Sequence, residues 1–174
     1  MASKANALIV NSFFNLLETE LYDKITVTSL VEACDISRQT FYYHFNDIEE
    51  MIAYAFQSET EAICKAQEPG KWYDSARLYV SFLDRFDTLL RKAQTSPSFL
   101  FVYHLLYQSF YDYITAYLEK RNRRLLSGNS DLRFIITCAA HSLCGLVIDE
   151  TQKPESDYAT VLENIGKTLN ALPK

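Results

Sequence analysis

Apolar residues recur along this chain at intervals of three and four, the period of helices that bury one face. Leu8, Ile9, Ser12, Phe13, Leu16 and Leu17 form the inner stripe of a first helix, predicted over Lys4 to Glu20. Val27, Leu30, Val31 and Cys34 fall at i, i+3, i+4 and i+7 and define a second, short helix. Phe41 and Phe45, four apart, point inward from a third that runs Arg38 to Phe45. Ile48, Met51, Ile52, Ala55 and Phe56 give the apolar face of a fourth, starting near Asp47, where Asp47, Glu49 and Glu50 suit the positive end of the helix dipole. Trp72 to Ala93 follows, with Leu78, Tyr79, Phe82, Phe86, Leu89 and Leu90 as its apolar positions. Ser96-Pro97 then reads as a cap with proline at the first helical position. Phe99 to Leu126 is one long helix or two joined near Gln108, and Asp131 to Glu150 and Ser156 to Leu172 complete the chain. The expected fold class is all-α, with about nine helices.

The short helices after residue 25 carry the most information. Thr26 is a good N-cap for the second helix and Ser37 for the third, each hydroxyl able to accept an orphan backbone N–H. Asp35 lies where the chain must turn and tolerates left-handed backbone better than most residues. Ile36 plugs that turn into a core. With Phe41 and Phe45 turned inward, Arg38, Gln39, Thr40, Tyr42, Tyr43 and His44 face out. Such a surface suits DNA: Arg and Gln read base edges, Thr packs on a thymine methyl, and Tyr and His donate to phosphate oxygens. Residues near the N-terminus of a reading helix reach the bases.

Composition narrows the class. The 174 residues are 48% hydrophobic and 22% charged, which marks a globular chain with ample length for a core. Four Gly and four Pro leave room for long uninterrupted elements. Cys34, Cys64, Cys138 and Cys144 form no C-x-x-C pair and have no histidine at metal spacing, so free buried thiols in a reduced cytosol are expected and no metal site. The first residues carry no signal-peptide pattern, and no membrane span is expected, so the location read here is cytoplasmic. No phosphate loop, nucleophile elbow or paired-carboxylate pattern appears, so neither a catalytic residue nor a cofactor is expected. Charge complicates the DNA reading. The net charge is −5, and residues 1–56 alone hold three cations (Lys4, Lys24 and Arg38) against eight acids. DNA affinity draws on phosphate neutralisation, so random DNA should be bound weakly. A helical adaptor that acts through protein partners is the alternative this acidity favours.

Residues 26–45 resemble the helix-turn-helix of the TetR family of transcription regulators. The carrying residues are Thr26-Val27, Ala33, Ile36-Ser37 and Thr40-Phe41-Tyr42-Tyr43-His44-Phe45, with Phe13, Phe14, Leu17 and Tyr22-Asp23-Lys24-Ile25 upstream and Asn46-Asp47 to Met51 downstream. The Tyr-Tyr-His-Phe run behind Arg-Gln-Thr is similar to the subgroup linked to dihydroxyacetone kinase operons. The resemblance implies a DNA-binding domain over 1–50 and a C-terminal ligand-binding and dimerisation domain over 51–174, linked by a helix over about 47–66. It implies a homodimer, most often a repressor, on a near-palindromic double-stranded operator. Lys4, at the start of the first helix, and Thr26 join Ser37 and the outward third-helix residues as DNA contacts. The family often has lysine where Ile48 stands and commonly glycine where Asp35 stands.

The C-terminal region adds two expectations. Phe99 to Leu126 holds too many aromatics for a single stripe, so some border a cavity or a partner. An apolar pocket for an unknown small-molecule effector is expected among Tyr79, Phe82, Phe86, Tyr103, Tyr107 and Tyr111, with His104 and His141 as polar groups. The resemblance implies that the last two helices pair with their copies as a four-helix interface. Leu132, Ile136, Ala140, Leu143 and Val147 are the expected contacts on one, and Tyr158, Leu162, Ile165 and Leu169 on the other. The basic run Lys120 to Arg124 is read as a solvated helix end, where cations suit the dipole.

Overall fold

The structure, a computed structural model, describes residues 4–68, 72–121 and 130–170. Pro69-Gly70, residues 122–124 of the basic run, Ser127-Gly128-Asn129 and the side chain of Leu169 lie outside the described residues. Eight α-helices and one 3-10 turn make up the described chain, with no strand among the described residues. They are α1 (Lys4–Thr19), the turn Tyr22–Lys24, α2 (Val27–Cys34), α3 (Arg38–His44), α4 (Ile48–Ala66), α5 (Trp72–Ala93), α6 (Phe99–Arg121), α7 (Ser130–Glu150) and α8 (Tyr158–Asn170). The fold class is all-α, as the periodicity indicates. The sixth helix is unbroken from Phe99 to Arg121. It starts two residues beyond Pro97, because the Ser96 hydroxyl accepts the Ser98 N–H and closes a separate turn first.

The helices bury the stripes that their spacing marks out. Ile9, Phe13 and Leu17 of α1, Leu30 and Cys34 of α2, and Phe41 of α3 share one core with Met51, Ile52 and Phe56 of α4. Leu8 and Leu78 sit at the edges of their stripes and are exposed instead. Aromatic rings continue the core into the body. Phe56 packs on Phe86 with centroids 4.3 Å apart, and Phe82 touches both. Tyr79 stacks on Phe110 of α6 at 4.7 Å.

Around this core, α5 packs on α8, α6 packs on α7, and α4 lies against both α5 and α6. Tyr158, Val161 and Leu162 of α8 and Ile136, Ala140, Leu143 and Val147 of α7 are buried inside the subunit. Leu132 and Ile165 are half-buried on the same core. The apolar positions expected to meet a partner are thus committed to the subunit's own interior, because α7 and α8 need those faces to pack at all. The opposite face of α7 is also apolar: Phe134 is 70% exposed, and Ile135, Cys138, Gly145 and Leu146 are exposed beside it. Two apolar faces make Asp131–Glu150 long and apolar enough, at a mean hydropathy of 1.5, to cross a membrane by composition. That corrects the expectation that no stretch reaches this threshold; here one face of the helix is packed into the protein.

A polar node ties α8 to α5. The Asp87 carboxylate accepts hydrogen bonds from Arg91 Nε, Ser156 Oγ at 2.9 Å and the Tyr158 hydroxyl. Arg91 also donates to the Lys153 carbonyl at 2.7 Å and to Ser156 Oγ at 2.6 Å, gathering the turn before α8. Burial pushes the Asp87 carboxyl up, but the bonds from Arg91, Tyr158 and Ser156 outweigh it and hold it below its usual 3.8. A depressed native carboxyl stabilises the fold above its unfolded value and loses that contribution as pH falls through the native one. Asp87→Asn is therefore expected to cost about 2 kcal/mol at neutral pH and less at an acid pH far enough below 3.8 to protonate the native carboxyl. Urea unfolding of both proteins at the two pH values measures this difference.

Candidate nucleic-acid interface and helix-bundle cavity

The short α2-α3 unit is assembled by local chemistry at each end. Thr26 caps α2: its hydroxyl accepts the Ser29 N–H at 3.1 Å, and Ser29 Oγ accepts the Thr26 N–H at 3.0 Å. The reciprocal half, from Ser29, is a partner the sequence reading missed; a serine three residues after a threonine cap was the available signal. Asp35 ends α2 in the left-handed region at φ 53°, ψ 46° and is the positive-φ residue of the described chain outside glycine. Its N–H and that of Ile36 return to carbonyls of α2. Ser37 caps α3, accepting the Thr40 N–H at 3.0 Å, and its hydroxyl also meets Thr40 Oγ1 at 2.9 Å. Phe41 is fully buried and Phe45 nearly so.

With those two rings inside, α3 presents Arg38, Gln39, Thr40, Tyr42 and Tyr43 to solvent, while His44 is half-buried. Tyr43 is 85% exposed and Tyr42 56%, high values for aromatic rings without a partner surface. Arg38 reaches back to donate to Thr28 Oγ1 at 2.8 Å, which extends the guanidinium along α2. His44 stacks edge-on with Tyr43 at 5.1 Å. Lys4 and Thr26 are exposed. The nearby acids are partly absorbed by the backbone. Asp47 accepts the Glu50 N–H at 2.7 Å as the cap of α4, and Glu50 accepts the Asn46 N–H at 2.6 Å. Asp23 accepts from Ser96 Oγ at 2.5 Å, on the side toward the body.

The α1–α4 head is fastened to α5 by the side chains of Arg85, Thr88 and Lys92. Arg85 lies over the Phe14 ring at 5.2 Å, donates to Asn11 Oδ1 of α1 at 2.8 Å, and ion-pairs with Glu59 of α4. Thr88 donates to Glu18 at 3.1 Å, and Lys92 donates to the carbonyls of Leu17 and Glu20 at the end of α1.

A cavity of about 480 Å³, open to solvent on one side, lies between α4 and α6. From α4 it is lined by Ala53, Phe56, Gln57, Thr60, Glu61 and Cys64. From α6 it is lined by Leu105, Gln108, Ser109, Asp112, Thr115, Ala116 and Glu119. Thr60 and Ser109 join hydroxyls across its floor at 2.5 Å, and the Tyr79 hydroxyl meets Ser109 from behind at 2.6 Å. Burial, with Asp112 adding to it, pushes the Cys64 thiol up to about 11, so it stays protonated at neutral pH. The residues expected to border a single pocket are not brought together. Tyr79, Phe82 and Phe86 are buried behind the cavity floor. Tyr103 and Tyr107 stack with His141 of α7 at 6.3 and 4.4 Å, on the side of α6 turned away from the cavity, and Tyr111 and His104 flank Tyr107. The missed signal was polar: Gln57, Thr60, Glu61 and Cys64 repeat at i, i+3, i+4 and i+7, and Gln108, Asp112, Thr115 and Glu119 keep the same face on α6.

A capped helix-turn-helix on an all-helical body is the fold of the TetR-type regulators, and comparison with solved structures gives the same result. The fold is similar to that of a dihydroxyacetone kinase operon activator, DhaS, at TM-score 0.76 and 19% identity over 97% of this chain and 95% of that one. It is also similar to a TetR family repressor, AlkX, from Dietzia sp. strain DQ12-45-1b, at TM-score 0.57 and 19% identity over 94% of each chain. In sequence, 86 residues are 27% identical to the HTH-type dhaKLM operon transcriptional activator DhaS of Lactococcus lactis subsp. lactis (strain IL1403). That match spans 49% of this chain and a little under half, 46%, of the relative. No family model matches the chain.

The cap on α3 should control the order of the exposed face. Ser37→Ala is expected to cost about 1 kcal/mol in global stability. Hydrogen exchange should register its largest acceleration at the Gln39 to Phe41 amides.

Proposed function

We propose that the chain is a DNA-binding transcription regulator, with residues 1–50 meeting the duplex and α3 entering the major groove. The observation that carries this reading is the outward face of α3: two exposed tyrosines, Gln39 and Arg38 on a helix held by Phe41, Phe45 and the Ser37 cap. In the proposed complex Arg38 and Gln39 read base edges, Thr40 packs against a thymine methyl, and Tyr42, Tyr43 and His44 donate to phosphates. Lys4, Thr26 and Ser37 complete the backbone contacts. The two similar proteins named above are described with opposite outputs, an activator and a repressor, so the proposal is of a regulator and not of a repressor in particular. Its place of action is the cytoplasm.

The proposed assembly is a homodimer, because a symmetric regulator needs two α3 helices at groove spacing on a near-palindromic site. The surface that supports it is the outer face of α7, with Phe134, Ile135, Cys138 and Leu146. Gly145 lies beside Leu146 at the C-terminal end of that stripe, and a side chain added there would meet nothing within 4 Å in the subunit, leaving room for a second helix.

The proposed effector site is the α4–α6 cavity. One wall of it, α4, begins four residues after α3 ends and is pinned to α1 through Glu59 and Arg85. A ligand that favours one position of α4 would shift the spacing of the two α3 helices, provided it binds the two states with different affinity.

Arg38→Ala should weaken specific operator binding by about 1–3 kcal/mol, and Tyr42→Phe should weaken all duplexes alike. The measurement is a fluorescence titration on a footprinted operator and on random duplex; two unchanged isotherms reject the reading. Failure to bind any of a pool of random duplexes at low salt would favour the adaptor alternative. Phe134→Glu should convert the dimer to a monomer in sedimentation equilibrium while leaving the helical content intact.

A further inference from the structure

We infer that the α4–α6 cavity takes a small organic cation, an amine on an apolar stem, and excludes anions. The inference rests on that cavity being the effector site and adds the chemical class it accepts. Among the described residues its lining holds three carboxylates, Glu61, Asp112 and Glu119, and no Lys, Arg or His. Two cations stand nearby among the described residues, and both are engaged. Lys65 lies 3.4 Å from Glu61 at the rim. Lys120 caps the end of α4, donating to the carbonyls of Cys64, Lys65 and Gln67 at 2.6, 3.1 and 2.8 Å.

Asp112 and Glu119 are left to set the sign of the site. They stand seven residues apart on one face of α6, roughly 10 Å along the helix. Asp112 accepts one hydrogen bond, from Gln108 Nε2 at 2.9 Å. Burial holds its carboxyl above the usual range, the Gln108 bond pulling it back only in part, as suits a carboxyl short of positive partners. Between the two acids lies Thr115, whose Oγ1 is buried and has no hydrogen-bond partner. Thr115 lines the cavity, and a turn of its side chain about χ1 would bring that oxygen to the cavity surface, where it can accept an ammonium N–H. The deeper wall is apolar, built from Ala53, Phe56, Leu105 and Ala116, and supplies the surface for a stem. An anion placed here would meet like charge on both sides of the opening, and the two described cations nearby, Lys65 and Lys120, are already engaged by Glu61 and by the end of α4.

The test is isothermal titration of the full chain, without DNA, with n-hexylamine, hexanoate and 1-hexanol, probes of one length and three charges. Hexylamine should bind about tenfold more tightly than either of the others, and Asp112→Asn should remove about that factor while its melting temperature stays near that of the parent. Thr115→Val should weaken hexylamine to a smaller extent and leave 1-hexanol nearly unchanged. Equal binding of hexanoate or hexanol, no binding of hexylamine, or an Asp112→Asn protein that binds it as well as the parent each overturns the inference. Since the titration contains no duplex, such a failure leaves the DNA-binding reading standing. Hexylamine binding that depends on Asp112 supports the ligand class even where operator affinity does not respond, and that lack of response would count against the regulatory reading alone.

Discussion

A helix of seven residues does not hold itself together in water, where isolated helices shorter than about 12–15 residues are marginal. The surface of α3 therefore depends on what lies beneath it. Burial of Phe41 and Phe45 contributes roughly 1.5–3 kcal/mol each, and the Ser37 cap satisfies one of the orphan N–H groups. The left-handed turn at Asp35 then sets the direction in which α3 leaves α2. An aspartate carries this conformation at some cost relative to glycine. The tyrosines on the outer face are presented, rather than folded inward, because the two phenylalanines fill the inner side.

The same logic extends inward through α4. One end of this helix is capped by Asp47 just after α3, its middle places Phe56 against the rings of α5, and its far end is closed by Lys120 from α6. It is common to the head, the aromatic core and the cavity. Arg85 adds a polar fastening at the same level, linking α1 and α4 across the Phe14 ring. A displacement of α4 relative to α6 would have to be accommodated by that fastening.

Most of the helices were legible from spacing and caps, since an apolar stripe and a capping hydroxyl are local signals. Thr26, Asp35, Ser37 and Asp47 occupy the structural positions their side-chain chemistry indicates. What spacing could not separate was the meaning of a helix with two apolar faces. In α7, Leu143 and Phe134 are equally hydrophobic, yet one is buried and the other exposed, and only the packing of α6 and α8 distinguishes them. The cavity was missed for a related reason. Aromatic abundance drew the pocket toward Tyr103, Tyr107 and Tyr111, which lie on the α7 side of α6, whereas the cavity wall is marked by amides, hydroxyls and carboxylates. In a densely aromatic chain, large rings fill space, and the polar groups are the rarer signal of where it is left open.

The scarcity of cations in the head carries a consequence for how the chain would behave in the cell. Lys4, Lys24 and Arg38 are exposed, and few other charges there could displace ions condensed on a duplex. Binding that relies on tyrosine hydroxyls and base edges would respond only gently to changes in ionic strength. Such a protein would spend little of its time sliding on unrelated DNA, and its occupancy of a genuine site would be set by fit more than by general attraction.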